Sequence, residues 1–442
     1  MRHRHWCVLI LLCMLPLLMA AGDPPAGWAT VNGGTYYYYE DGSTASGWTT
    51  VDDQLYYFDT ETGQMQLGWA DINGSRYYLD PGNGVMRTGW IHMSGHTYYL
   101  ASNGAMAAGW KKIDGNEFYF DPDSGAMQTG WTDVNGSRYY LDPGTGVMQT
   151  DWFELGGDVY YLGSNGAMVT GWNKISRQDY YFDPDTGIMA TGWTDVDNTM
   201  YYLDPETGVM FTGWLLEDDG NYYYLDTGTG AMVTDWQKVG SKWYYFDIDG
   251  VMQTGWLELD ENKYYLDPET GAMQTGWLLE DDGTYRYLNP SSGIMVTGWK
   301  KISSKWYYFD MEGVMDTGWL EIDGSLYYLS DSGSMKTGWL QMDDGTYYFL
   351  DSGGTLLTGW QKISGYWYHF DRYGVMSTGF ETISGDVYYF GTNGRMRTGW
   401  RTIDGNHYYF SRSGVMASGG WIKLSGRWCD FADDGRLLAY YL

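Results

Sequence analysis

Residues 298 to 319 read Gly298-Trp299-Lys300-Lys301-Ile302-Ser303-Ser304-Lys305-Trp306-Tyr307-Tyr308-Phe309-Asp310-Met311-Glu312-Gly313-Val314-Met315-Asp316-Thr317-Gly318-Trp319. Two short runs rich in β-branched and aromatic residues flank the pair Ser303-Ser304, which predicts a β-hairpin with a two-residue turn. That turn pairs Ile302 with Lys305, Lys301 with Trp306, Lys300 with Tyr307 and Trp299 with Tyr308. Cross-strand partners point the same way. Trp299, Lys301, Trp306 and Tyr308 therefore share one face, and Ile302, Tyr307 and Phe309 share the other, which is the expected core.

The phrase recurs along the chain. Its marker Trp falls at 28, 48, 69, 90, 110, 131, 152, 172, 193, 214, 236, 256, 277, 299, 319, 339, 360, 400 and 421, and Phe380 fills the missing beat, giving 20 units of 20 to 22 residues. Turns such as Asp114-Gly115, Asn135-Gly136 and Ser364-Gly365 supply the positive φ that a tight hairpin needs. One hairpin is marginal in water, but a stack of them buries Met and aromatic side chains continuously. The predicted fold is an all-β solenoid of about 20 stacked hairpins, elongated and without a separate globular head, spanning residues 23–442.

Residues 1–22 read as a secretory signal peptide: Arg2, His3, Arg4 and His5, an apolar run from Trp6 to Met19, then Ala20, Ala21 and Gly22. The alternative is a membrane anchor, but about 14 apolar residues fall short of the roughly 20 that span a bilayer. Cleavage before Asp23 removes Cys7 and Cys13, leaving Cys429 and no disulfide framework. Cys429 stands where other repeats place a Tyr, so a small buried side chain is expected. No membrane insertion is expected after signal removal. The formal net charge of −30 should repel nucleic acid and anionic lipid.

Sites of chemistry are absent from the pattern. Carboxylates cluster in turns such as Asp121-Pro122-Asp123, Asp142-Pro143-Gly144, Asp204-Pro205-Glu206 and Asp281-Asp282-Gly283, where they have local backbone work, and EF-hand spacing is missing. His92 and His96 flank the Ser94-Gly95 turn and fall on opposite faces, so they do not share a metal. There is no nucleophile elbow, zinc helix or phosphate loop. The expectation is a non-enzymatic chain with no cofactor, no metal site and no catalytic residues.

The stretch from Gly298 to Trp319 resembles the cell-wall-binding repeats of choline-binding proteins; glucan-binding proteins and the receptor-binding ends of large clostridial toxins carry similar repeats. The resemblance covers nearly everything after the signal peptide. It implies ligand sites between successive hairpins, each with two Trp from one hairpin and an aromatic from the next, roughly three hairpins to a superhelical turn, and choline held by cation-π attraction. Few units keep both Trp. The residue before the Tyr doublet is Trp at 243, 306, 367 and 428, and elsewhere Leu55, Arg76, Thr97, Glu117, Arg138, Val159, Asp179 or Met200. The candidate ligand-binding walls are thus Trp236 with Trp243, Trp299 with Trp306, Trp360 with Trp367, and Trp421 with Trp428, the last without a complete following hairpin to close it.

These four Trp recur at every third hairpin, and ten of the twelve lysines belong to the same class of hairpin. Three hairpins per turn would align them as a basic, Trp-rich stripe, with Lys238, Lys301 and Lys362 on a common side. Lys112 opposite Glu117 and Lys174 opposite Asp179 should form ion pairs, whereas Lys238, Lys301, Lys362 and Lys423 face Trp. Tyr at the doublet and Met after Gly recur in nearly every unit and read as packing; the Trp of Gly-Trp serves either as core or as ligand wall.

The expected function is a secreted protein held non-covalently at the bacterial cell surface by choline-bearing teichoic acid or glycan polymer. The alternatives are a glucan or host-glycan binding adhesin and a structural spacer.

Overall fold

The computed structural model describes residues 26–441. The signal-peptide reading of residues 1–22 lies outside them. Among the described residues every element is a β-strand, and the strands form 20 antiparallel sheets, each a hairpin of neighbouring strands, the last with a third strand, Leu437–Tyr441. The hairpin expected from the Ser303-Ser304 turn forms in the register read from sequence: Ile302 with Lys305, Lys301 with Trp306, Lys300 with Tyr307, Trp299 with Tyr308. Ser303 and Ser304 both take positive φ, 46° and 72°, the requirement of a type I′ turn.

Three hairpins depart from the two-residue turn. In the hairpins of Trp214, Trp277 and Trp339 the ladder ends at Leu216 with Tyr222, Leu279 with Tyr285, and Gln341 with Tyr347. The loops between are closed by bonds such as Gly283 N–H to the Glu280 carbonyl at 2.9 Å and Glu280 N–H to the Thr284 carbonyl at 3.0 Å. The Asp-Asp-Gly signature of these loops inserts a residue that shifts the strand register.

Each hairpin ends on a large residue opposite the glycine before the marker Trp, as Phe309 opposite Gly298. Gly298 takes a positive φ of 69°, which glycine adopts at no steric cost, and Phe58, Phe120, Phe182, Phe246, Phe309, Phe370, Phe390 and Phe410 at the strand ends are completely buried. Two units carry Asp in place of this glycine. Asp151 and Asp235 keep the positive φ, 73° and 67°, and each side chain accepts the next Trp N–H, at 3.2 and 2.8 Å, a local bond that helps Asp tolerate the left-handed region.

Packing corrects the expectation of one core face. Tyr307 and Phe309 receive Trp277 of the preceding hairpin at 5.1 and 5.8 Å between ring centroids, while Trp299, on the opposite face, meets Tyr327 of the following hairpin at 4.9 Å. Both faces are interfaces, and the core is a series of aromatic layers between hairpins. The connectors lock the layers together. Met315 bridges Phe309 of its own hairpin and donates its N–H to the Tyr285 carbonyl of the hairpin before, at 2.8 Å. Its thioether lies on Gly333 of the next connector, where a Cβ would overlap the sulfur.

The chain divides into two compact units, one ending at Thr212 and including Thr227–Ala231, the other comprising Gly213–Asp226 and the chain from Met232 onward. Each is a β-hairpin repeat solenoid. Cys429 is buried and free, in the place of a doublet Tyr as expected, and pairs with Ile422.

The turn carboxylates have the local role expected of them. Asp204 accepts the Thr207 N–H at 2.8 Å and hydroxyl at 2.7 Å, and Asp59, Asp142, Asp183 and Asp267 repeat the arrangement. The side-chain and backbone hydrogen bonds from Thr hold these carboxyls below the ordinary aspartate range. A depressed folded-state pKa gives stability that is complete above the unfolded value and is lost as pH falls through the folded one. The urea midpoint is therefore expected to be flat from neutral pH down to about pH 5 and to decline below about pH 4. A midpoint unchanged at pH 3 would contradict the role of these turns.

Candidate functional site

The paired Trp positions share a face because cross-strand geometry puts them there, and the next hairpin supplies the closing ring. Trp299 and Trp306 stand 6.5 Å apart at 89°, and Tyr327 lies 4.9 Å from Trp299. Trp360 and Trp367 stand 6.3 Å apart at 83°, with Tyr388 at 4.7 Å. Trp236 packs on Tyr264 at 5.0 Å, and Trp243, on the same face, is left exposed. In each pair the second Trp is the open wall: Trp243, Trp306 and Trp367 are 42%, 41% and 43% exposed. Its backbone is fixed all the same, since the carbonyls of Trp243, Trp306 and Trp367 accept the N–H of Met273, Met335 and Met396 at 2.8 Å.

The Trp360 site shows how three successive hairpins contribute. Its cavity of about 340 Å³ is lined by Trp360 and Trp367, then Tyr388 and Met396, then Arg412 and Ser413 from the connector beyond. Two indole faces at right angles, a tyrosine and a thioether form a concave apolar surface open to solvent on one side. Such a surface attracts a cation through the ring quadrupoles.

Trp421 and Trp428 are completed differently. The last strand pairs Tyr441 with Trp428 and sets the Tyr441 ring 4.9 Å from Trp421. The aromatic missing from a following hairpin comes from the same sheet.

Three further walls escaped the sequence reading. The longer loops carry Tyr222, Tyr285 and Tyr347 into the place that Trp243, Trp306 and Trp367 occupy in their hairpins, two residues before the partner of the marker Trp. Trp214 meets Tyr222 at 6.5 Å and 82°, and Trp277 meets Tyr285 at 6.3 Å and 85°, close to the geometry of the Trp pairs. Trp277, Tyr285, Tyr307 and Met315, with Asp331 and Ser332, line a cavity of about 360 Å³. The signal was present as an interval: Tyr287 falls ten positions after Trp277, whereas Tyr308 falls nine positions after Trp299.

From Trp214 to Phe380 the second unit therefore cycles through Tyr-walled, Trp-walled and non-aromatic hairpins, the last with Lys263, Leu326 or Val387 at the second position, and the hairpin of Trp400, with His407 there, breaks the cycle. In the first unit that position is never aromatic. Of the two ion pairs expected there, Lys174 and Asp179 form one at 2.7 Å; Lys112 and Glu117 stand opposite each other without one. Lys301, Lys362 and Lys423 lie over the Trp opposite them, with Nζ 6.0, 6.0 and 5.9 Å from the ring centroid. His92 and Thr97 pair across their hairpin, with Nδ1 2.8 Å from the Thr hydroxyl. Among the described residues no cluster of His, Cys, Asp and Glu is placed to hold a metal ion, and no helix is long and apolar enough to cross a membrane.

The family model described as a choline-binding repeat matches in overlapping segments: 26–67, 45–88, 67–108, 87–129, 107–153, 128–170, 149–191, 169–212, 190–235, 233–273, 260–297, 296–338, 357–396, 377–421 and 397–439. A second, described as a putative cell wall binding repeat, matches 337–355. The chain belongs to the choline-binding repeat family. No curated protein matches it. Among solved structures it is similar to CbpF in complex with ipratropium, at 29% identity over 66% of this chain and 98% of that one, with a TM-score of 0.38. It is also similar to choline binding protein F from Streptococcus pneumoniae in the presence of a peptidoglycan analogue, at 27% identity over 79% and 98% with a TM-score of 0.33. A third is the modular autolysin LytC from Streptococcus pneumoniae in complex with a synthetic peptidoglycan ligand, at 28% identity over 52% of each chain with a TM-score of 0.35. Whole-chain superposition at these scores transfers no site residue.

Proposed function

We propose that this chain is a secreted, non-enzymatic cell-wall-binding protein, attached non-covalently to a bacterial surface by choline-bearing teichoic acid or glycan polymer. The observation that carries this reading is the right-angled pair of aromatic walls closed by a tyrosine, built repeatedly in one unit. Trp236 with Trp243, Trp299 with Trp306, and Trp360 with Trp367 are the principal sites; Trp421 with Trp428 and Tyr441 is a terminal variant. Trp214 with Tyr222, Trp277 with Tyr285, and Trp339 with Tyr347 are secondary sites.

Two or three cation-π contacts at about 1 to 2 kcal/mol each, less the cost of association, give each site roughly millimolar affinity for free choline. A polymer bearing many cholines engages several sites at high effective concentration, with an avidity gain on the order of 10²-fold or more. The test is retention of the full chain on a matrix carrying choline, with elution by free choline. Retention on dextran and not on choline would overturn the reading.

One feature of the first unit favours a neutral glycan there. Exposed Trp152 borders a cavity of about 440 Å³ with Glu154, Val159, Tyr180 and Glu206, a single stacking plane edged by hydrogen-bond acceptors. Dextran binding lost on Trp152→Ala, with choline retention unchanged, is the expected result of that reading.

The Tyr-walled sites make a separate prediction. Tyr222, Tyr285 and Tyr347 changed together to Ala should lower the number of choline molecules bound at saturation and leave the Trp-walled sites intact. An unchanged count by calorimetry would remove these three from the binding surface.

A further inference from the structure

In the second unit the ring that closes each marker Trp is almost always a tyrosine of the following hairpin, as Tyr264 on Trp236, Tyr307 on Trp277 and Tyr327 on Trp299. At Trp256 that position is Arg286, opposite Leu278. Its guanidinium carbon lies 5.2 Å from the centre of the Trp256 ring, within cation-π reach. The cation is tied down on several sides. It forms an ion pair with Glu280, and the two side chains are only 16% and 21% exposed. Arg286 Nε donates to the Glu312 carbonyl at 3.1 Å. Glu280 in turn accepts the Trp256 indole N–H at 2.8 Å and the Thr284 hydroxyl at 3.2 Å. The second position of the same hairpin is Lys263, another cation, opposite Glu258.

We propose that Arg286 is a built-in cation that seals the Trp256 site against choline. It stands where a tyrosine closes the neighbouring sites and puts a fixed positive charge on the wall of the cavity of about 300 Å³ that Trp256, Lys263 and Met295 also line, so the inference rests on the choline reading above. A choline entering that cavity would meet the like charges of Arg286 and Lys263, and Arg286 could turn aside only by leaving Glu280, mostly buried, without its partner. Breaking such a pair by removing one member is strongly unfavourable, comparable to the whole binding energy of a millimolar ligand. Arg138 over Trp131 differs: it comes from the same hairpin, is 43% exposed, and is held only by an exposed ion pair with Asp133 at 3.7 Å.

The seal also predicts that supplying the missing second wall is not enough. Calorimetric titration with choline of the full chain, of Lys263→Trp, and of Lys263→Trp combined with Arg286→Tyr reads the number of sites directly. The parent and the single variant should saturate at the same count, and the double variant should add one site. Tyr is the residue type at this place in most neighbouring hairpins, so the double variant is expected to fold. Lys263→Trp with Arg286→Gln removes the charge with less change of shape and should also gain a site. An extra site in Lys263→Trp alone, or none in either double variant, would overturn the seal while leaving the choline reading intact. No choline heat in the parent would instead sink the choline reading, and the seal with it.

Discussion

Replacing Trp243, Trp306 and Trp367 together by alanine is expected to lower retention on a choline-bearing polymer by on the order of 10²-fold or more, with the β-sheet signature unchanged. Each of these side chains is more than two-fifths exposed, so truncation removes little buried packing. The main-chain bond from each carbonyl to the following Met N–H does not depend on the indole. What is lost is one wall per site, about 1 to 2 kcal/mol or roughly 5- to 30-fold per cage. On a multivalent polymer the losses compound. Residual retention should come from the Tyr-walled sites and disappear when Tyr222, Tyr285 and Tyr347 are removed as well. Full retention by the triple variant would mean that these walls do not bind the polymer.

Gly333→Ala is expected to destabilise the second unit by about 2 to 4 kcal/mol, a far larger effect than a surface glycine gives. Gly333 has φ of +76°, and a Cβ there meets the Met315 thioether with no space between them. The left-handed backbone accounts for about 1 to 2 kcal/mol of the cost and overpacking for the remainder. Because a repeat array is held by nearest-neighbour interfaces, the loss should concentrate in the adjoining hairpins. Adding Met315→Ala should recover the steric part and leave the backbone part. Urea unfolding of the single and double variants separates the two; no recovery in the double variant would show that Met315 is not the obstacle.

Most of the architecture was legible because it depends on local rules repeated many times. The Ser303-Ser304 turn fixed the register from Ile302 to Tyr308, and the interval between marker Trp residues counted the hairpins. The inter-hairpin packing was not legible, because alternation within one strand separates the face of Trp299 from that of Tyr307 without telling that both are covered by neighbours. The identity of the closing ring was hidden for the same reason, since Tyr327 meets Trp299 only when the next hairpin stacks. Tyr222, Tyr285 and Tyr347 were hidden because only a Trp before the doublet reads as a wall, and in Tyr222-Tyr223-Tyr224, Tyr285-Arg286-Tyr287 and Tyr347-Tyr348-Phe349 the doublet itself is blurred. Arg286 stands in the sequence where most units have the first Tyr of the doublet; only the stack puts it over Trp256 and beside Glu280. The completion of the Trp421 site by Tyr441 required a third strand, which no earlier repeat contains.

The central claim is that the aromatic walls of the second unit recognise a cation rather than an apolar shape. Titration of the full chain with choline beside its uncharged isostere 3,3-dimethylbutanol, followed by tryptophan fluorescence, tests this most directly. The two ligands share their bulk and differ in charge at the head group. Saturable quenching or shift with choline in the millimolar range, and little change with the alcohol at the same concentrations, is the predicted result. Equal responses to both, or a response to neither together with binding of a neutral glucan, would contradict it.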